Sequence, residues 1–196
     1  MSKEFERKMQ EYEFGMNELA FKLEMLNQDY NTKNSYMLME HIRKRLKSKE
    51  SIEFKLKNDG YEFSIENLSK INDIAGVRIV VAFEEDIYLV KQLIMEKIPG
   101  IKLIKEKDYV KNPKESGYVS YHLILGVPVS LSDENTYVTV ELQIRTLMMD
   151  AWAAIEHKLV YKKKDTFAKV FKNYAAQMML LDDCFSELRE AQKDEE

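Results

Sequence analysis

The chain has 196 residues and a mass of 23.2 kDa, with 45% apolar and 33% charged residues and a net charge of −4, which suits one globular domain with helical additions and excludes a disordered chain. Six Gly and three Pro exclude collagen-like and low-complexity classes, and the single cysteine, Cys184, excludes an intrachain disulfide and a thiolate zinc cage. No apolar run approaches the roughly 20 residues that span a bilayer, and the charged N-terminus is unlike a signal peptide, so a reducing, cytoplasmic location is expected.

In chain order, Phe5, Met9, Tyr12, Met16, Leu19, Leu23, Leu26 and Tyr30 recur at alternating steps of four and three, the seam of a helix that packs along a partner. Residues 41–57 (HIRKRLKSKESIEFKLK) hold seven basic and two acidic residues, and residues 102–114 hold five and two. Both ends are acidic, which points to a local anion site rather than a nucleic-acid coat. Val77–Phe83 is a continuous apolar run and reads as a buried strand. Residues 84–97 read as a helix with acids at its positive end. Ile101–Glu106 reads as a short strand, 107–117 as a basic loop, Tyr118–Val127 as a strand and Pro128–Asn135 as a turn region. Over Tyr137–Arg145, Val138, Val140, Leu142 and Ile144 face one way, and Thr139, Glu141, Gln143 and Arg145 the other. Thr146–Tyr161 reads as a helix, and Phe167, Phe171, Tyr174, Met178, Leu181, Phe185 and Leu188 repeat the N-terminal seam. The expectation is an α+β fold: a mixed, largely antiparallel sheet of about five strands flanked by helices, with long N- and C-terminal helices. The expected division is a helical region over 1–40, a core over 41–162 and a C-terminal helix over 163–196. The two seams pack either within the chain or on another subunit.

Three features carry chemistry. Asp73 precedes the first buried strand, and Glu141 lies on the polar face of the last; together they suit Mg²⁺, a hard cation that borrows substrate phosphates. Lys47, Ser51 and Lys55 fall at steps of four on one helical face, and Ser48 is a good N-cap, so this helix start favours anions. No G-x-x-x-x-G-K, no G-x-G-x-x-G and no His-Asp pair occurs, which sets aside the common nucleotide folds and the His-Asp metal phosphohydrolases.

Six motifs then occur in order: R-L-K-S-K-E-S at 45–51, I-N-D-I-A-G-V-R-I at 71–79, E-K-D-Y-V-K-N-P-K at 106–114, G-Y-V-S-Y-H at 117–122, V-E-L-Q-I-R-T at 140–146 and W-x-x-I-E-H-K at 152–158. Over roughly 40–162 the chain resembles the synthetase domain of the RelA/SpoT family, in particular its small alarmone synthetases. The resemblance implies transfer of pyrophosphate from ATP to the 3′-hydroxyl of GDP or GTP, giving ppGpp or pppGpp, the alarmones of the stringent response. It implies that Arg45 and Arg78 sandwich adenine, that Lys47, Ser51 and Lys55 hold ATP phosphates, and that Asp73 and Glu141 hold Mg²⁺, with Glu141 also the base. Tyr118 would stack on guanine beside His122 and Gln143, and Lys107, Lys111 and Lys114 would meet the acceptor's 5′ phosphates. Val119 stands where many small synthetases carry Arg or Lys. A homotetramer is implied, without membrane attachment. Related enzymes that use the tRNA 3′ end or adenine nucleotides, and a degenerate nucleotide binder, are the alternatives; the Asp73–Glu141 pair opposes the last.

Overall fold

The computed structural model describes residues 3–131, 134–159 and 168–195. Eight regular elements follow the sequence reading closely or extend it by a few residues. The N-terminal helix α1 runs Lys3–Asn34, β1 His41–Leu46 and α2 Lys49–Asn58. A short 3₁₀ turn, Glu66–Lys70, leads to β2 (Ala75–Val81) and α3 (Glu84–Lys97). Then come β3 (Lys102–Asp108), β4 (Tyr121–Leu131), β5 (Glu134–Thr146), α4 (Leu147–Leu159) and α5 (Ala168–Glu195). The strands form one five-stranded sheet in the order β1-β2-β5-β4-β3. Only the β2–β5 pair is parallel; β1–β2, β5–β4 and β4–β3 are antiparallel. The α+β class and the mixed sheet are as the sequence implies.

The alternation in β5 sets the two faces of this sheet. Val138, Val140, Leu142 and Ile144 are buried on the apolar face with Val77, Ile79 and Val81 of β2 and Leu123, Leu125 and Val127 of β4. Helix α1 covers that face with Tyr12, Met16, Leu19, Leu23 and Leu26, and α3 adds Ile87, Val90 and Ile94 to the same core. The N-terminal seam is therefore satisfied within the chain, not by a second subunit. Its packing is close: a Cβ added at Gly15 would lie 2.9 Å from Val138 Cβ, so only glycine lets α1 approach the sheet there. The C-terminal seam behaves differently. Phe171 is buried against Trp152, but Tyr174, Leu181, Phe185 and Leu188 are exposed. Phe167 lies outside the described residues.

Two segments differ from the sequence expectation. Residues 41–46 are an edge strand, where the sequence reading recognised only a basic run. Their backbone pairs with β2 while most of their charged side chains stay in water, so no apolar alternation marks them. Lys47 accordingly precedes α2 instead of sharing its face with Ser51 and Lys55. Pro128 and Asn135 lie in strands, not in a turn region: Pro128 pairs with Tyr137 and Ser130 with Asn135. The pairing of β4 with β3 ends at Gly126, so Pro128 lies where β4 has β5 as its only paired neighbour among the described residues.

Helix α5 is tied to the rest at three levels. Trp152 Nε1 of α4 donates to the Phe171 carbonyl at 3.1 Å. Thr146 Oγ1, where β5 gives way to α4, donates to Asp182 at 2.6 Å. Arg189 bonds the buried Asp86 at 2.9 Å and Glu85 at 3.0 Å at the start of α3.

Candidate active site

The second face of the sheet is polar, and α4 crosses it to leave a cavity of about 440 Å³. Strand register puts one polar residue from each strand in a single transverse row. Arg43 of β1 is opposite Arg78 of β2, Arg78 opposite Gln143 of β5, Gln143 opposite His122 of β4, and His122 opposite Lys107 of β3. At the usual strand spacing this row is about 19 Å long. The next row holds Arg45, Gly76 and Glu141. Gly76, between the two, leaves the floor of the cavity open where a side chain would rise.

Asp73 sits just before β2, so chain direction brings it to the Glu141 end of the sheet. Lys55 Nζ donates to its Oδ1 at 2.7 Å, and Lys47 Nζ lies 3.1 Å from Oδ2. Burial works to raise the Asp73 carboxyl, but these two ammonium groups outweigh it and hold the group below the usual carboxylate value. Ser48 caps α2, its hydroxyl accepting from the Ser51 amide at 3.3 Å, and the two hydroxyls lie 3.1 Å apart. The N-terminus of α2, with Ser51 in its first turn, thus lies beside Lys47 in a position that favours anions.

Glu141 is held from two sides. His122 Nδ1 is 3.2 Å from Oε1, and Gln143 Nε2 donates to Oε2 at 2.9 Å. Burial and the charge of Asp73 push its carboxyl up; the His122 and Gln143 contacts prevail and hold it below the usual value. Glu141 is thus an ionised, oriented carboxylate. The other ring nitrogen of His122, Nε2, lies 2.8 Å from the Tyr118 hydroxyl, which also accepts from Arg145 at 2.8 Å.

Most of the residues expected from sequence meet here. Arg45, Lys47, Asp73, Arg78, Tyr118, Glu141 and Gln143 line the cavity. Lys55 joins through Asp73 and His122 through Glu141. Lys107, Lys111 and Lys114 are not among its lining residues. Lys107 ends the transverse row on β3, Lys111 Nζ lies 4.9 Å from the Tyr88 ring, and Lys114 Nζ lies 4.9 Å from the Tyr118 ring. Val119 faces away from the cavity, into an apolar pocket with Met149, Trp152 and Ala175, so its lack of charge is explained by packing.

The sequence reading missed Arg43, Arg145 and Asp150. Arg145 was visible only as the last member of an alternating polar face, which an exposed edge strand would share. It is in fact buried on the central strand, bonded to Tyr118, Gln143, Ser120 and Asp150. Asp150 stands on α4, where one carboxylate in an amphipathic helix gives no signal.

The family model described as a region found in RelA/SpoT proteins matches residues 44–166. The chain belongs to the RelA/SpoT family. It is 40% identical over 159 residues to GTP pyrophosphokinase YwaC of Bacillus subtilis (strain 168), covering 81% of this chain and 75% of that protein. It is 34% identical over 160 residues to GTP pyrophosphokinase YjbM of the same organism, covering 82% of this chain and 74% of that one. Among solved structures, small alarmone synthetase 1 from Bacillus subtilis bound to its product pppGpp superposes with a TM-score of 0.90 at 31% identity, covering 98% of this chain and 100% of the other. The cavity described above is thus the candidate active site of a RelA/SpoT-family domain.

Proposed function

We propose that this chain transfers the pyrophosphoryl group of ATP to the 3′-hydroxyl of GDP or GTP, giving ppGpp or pppGpp and AMP. The observation that carries the reading is Glu141: an ionised carboxylate, oriented by His122 and Gln143, at the same end of a cation-lined cavity as Asp73. The similarity to two GTP pyrophosphokinases supports it.

In this reading Arg45 and Arg78 flank adenine; a planar guanidinium suits a flat base better than an ammonium. Lys47, Lys55, Ser51 and the N-terminus of α2 receive the ATP phosphates. Tyr118 stacks on guanine beside His122 and Gln143, and Lys107, Lys111 and Lys114 meet the acceptor's 5′ phosphates. Glu141 takes the proton from the 3′-hydroxyl, whose oxygen bonds to the β-phosphorus of ATP as the bridge between α- and β-phosphates breaks and AMP leaves. Asp73 and Glu141 offer the hard carboxylate oxygens that suit Mg²⁺, and the ion would neutralise charge on the transferring phosphates. Transfer of this kind is mostly positioning and charge neutralisation, which matches a site rich in fixed cations.

We also propose that the chain works as a homo-oligomer, a tetramer by likeness to the small synthetases, with α5 at the contact. The exposed Tyr174, Leu181, Phe185 and Leu188 form one apolar seam that no other part of the chain covers among the described residues.

The test is incubation of the pure protein with γ-labelled ATP, Mg²⁺ and, separately, GMP, GDP, GTP, ATP or tRNA, with products separated by chromatography. Label on GDP or GTP alone is the expected result. Label on tRNA or an adenine nucleotide, or on none, would overturn the reading.

A further inference from the structure

Asp150 stands between two neighbouring guanidinium groups, one assigned above to the ATP site and one bonded to Tyr118 of the acceptor site. Its Oδ1 accepts from Arg78 NH1 at 2.6 Å and from Arg145 NH1 at 3.1 Å. Arg78 rises from β2 at the end assigned above to ATP. Arg145, at the end of β5, continues the contact: its NH2 donates to the Tyr118 hydroxyl at 2.8 Å and to Gln143 Oε1 at 2.9 Å. Tyr118 meets His122, and both His122 and Gln143 reach Glu141. From Arg78 to the carboxylate base there is an unbroken run of groups at hydrogen-bond distance.

Two features make Asp150 the critical member of that run. The Asp150 side chain is 16% exposed and that of Arg145 7%, so water screens the contact far less than it would a surface pair. Arg78 Nε is buried and has no hydrogen-bond partner among the described residues, so the direction of this guanidinium depends on what Asp150 does at NH1. Without the carboxylate, two guanidiniums within reach of the same point would repel each other and part.

The geometry points to Asp150 as a positioning residue that couples the two nucleotide sites, so that filling one orders the other. The inference rests on the pyrophosphokinase reading for what fills each end. A nucleotide that fixes Arg78 also fixes Asp150 and Arg145, and through them Tyr118 and His122. The second nucleotide then meets a site whose ordering has already taken place, and binds more tightly. Couplings of this kind amount to about 5- to 150-fold in affinity and are equal in both directions.

The experiment is calorimetric titration of the full chain with α,β-methylene-ATP and with GDP, each alone and each with the other saturating. It is repeated with Asp150→Ala and with Asp150→Asn, which keeps the shape and one acceptor oxygen in case the alanine variant does not fold. In the wild type each nucleotide should tighten the other by the same factor, about fivefold or more. In Asp150→Ala the factor should fall to within about twofold of none, and Asp150→Asn should fall between. A residue that merely supports the fold would lower the melting temperature and both affinities while leaving the factor alone. A wild-type factor in either folded variant, or no coupling in a wild type that binds both nucleotides, would overturn this inference and leave the function reading standing. A wild type that binds neither would overturn both.

Discussion

Replacing Glu141 by Gln tests the centre of the chemistry. The side chain keeps its volume and reach, so the cavity keeps its shape. The carboxylate now accepts from Gln143 at 2.9 Å and faces His122 Nδ1 at 3.2 Å. A glutamine amide keeps one of these contacts with its oxygen and presents its NH₂ to the other. The loss to folding is therefore about one hydrogen bond to a charged acceptor, roughly 1.5–3 kcal/mol, reduced because the burial of a charge is relieved at the same time. The loss to catalysis is larger in kind. Without a base on the 3′-hydroxyl the rate should fall by about 10²–10⁴, or roughly 3–5 kcal/mol of barrier. The assay is initial-rate formation of pppGpp by ion-exchange chromatography at saturating ATP and GTP, with thermal melting and GDP titration run beside it. The expected pattern is a melting curve near the wild type, retained GDP binding and a collapsed kcat. The wild type should also keep this base ionised further into acid than an ordinary glutamate: the His122 and Gln143 contacts outweigh burial and hold its carboxyl below the usual value, so the acid limb it sets in kcat/KM moves to lower pH. A folded Gln variant with turnover within a few-fold of the wild type would remove Glu141 from the mechanism.

Three further outcomes are expected. Tyr118→Ala should raise KM for the guanine acceptor by about 5- to 150-fold, the value of a base stack, with a much smaller change for ATP; equal changes in both would make Tyr118 a structural residue. Burial pushes the Asp182 carboxyl up to about 6, so the folded state keeps this proton to higher pH than the unfolded chain, and stability is lost as pH rises through about 6. Asp182→Asn, which still accepts from Thr146 Oγ1, should stabilise the protein by roughly 1–3 kcal/mol at pH 7.5 and by little at pH 4; thermal melts that show no gain at pH 7.5 would refute the assignment. Leu181→Glu with Leu188→Glu should dissociate the oligomer, since charges enter such contacts at a cost of several kcal/mol, whereas Phe171 is unsuitable because it is buried within the chain. Light scattering that finds the wild type monomeric at tens of micromolar would exclude the proposed contact.

The elements whose residues are half-buried were the most legible. Helix α3 begins and ends where its acidic first turn and last apolar residue predict, at Glu84 and Lys97. The period of two in β5 identified both faces of the sheet before any partner strand was known. Strand β1 was hidden because it lies at an edge, where backbone pairing holds the strand and little side-chain burial is required. The meaning of the N-terminal seam was ambiguous because a sheet face and a second helix can cover the same apolar stripe. Within the site, residues in local motifs, such as Asp73 and Glu141, were found. Asp150 was not, because its role arises only when α4 folds back across β2 and β5 and meets two arginines 72 and 5 residues distant in the chain.

The transverse row from Arg43 to Lys107 has a consequence for how such a site can change. Its members are spaced by the hydrogen-bonded ladder, and substitution of any one of them leaves that spacing alone. Shifting a strand by one position does not fine-tune the row; it turns the residue to the opposite face and into the core. The reaction's frame is therefore fixed in steps that evolution can only keep or abandon. The segment between β3 and β4, which carries Lys111, Lys114 and Tyr118, is under no such restriction. New acceptors can be tried by rewriting those dozen residues, while the groups proposed to position and deprotonate the attacking hydroxyl stay where the sheet sets them.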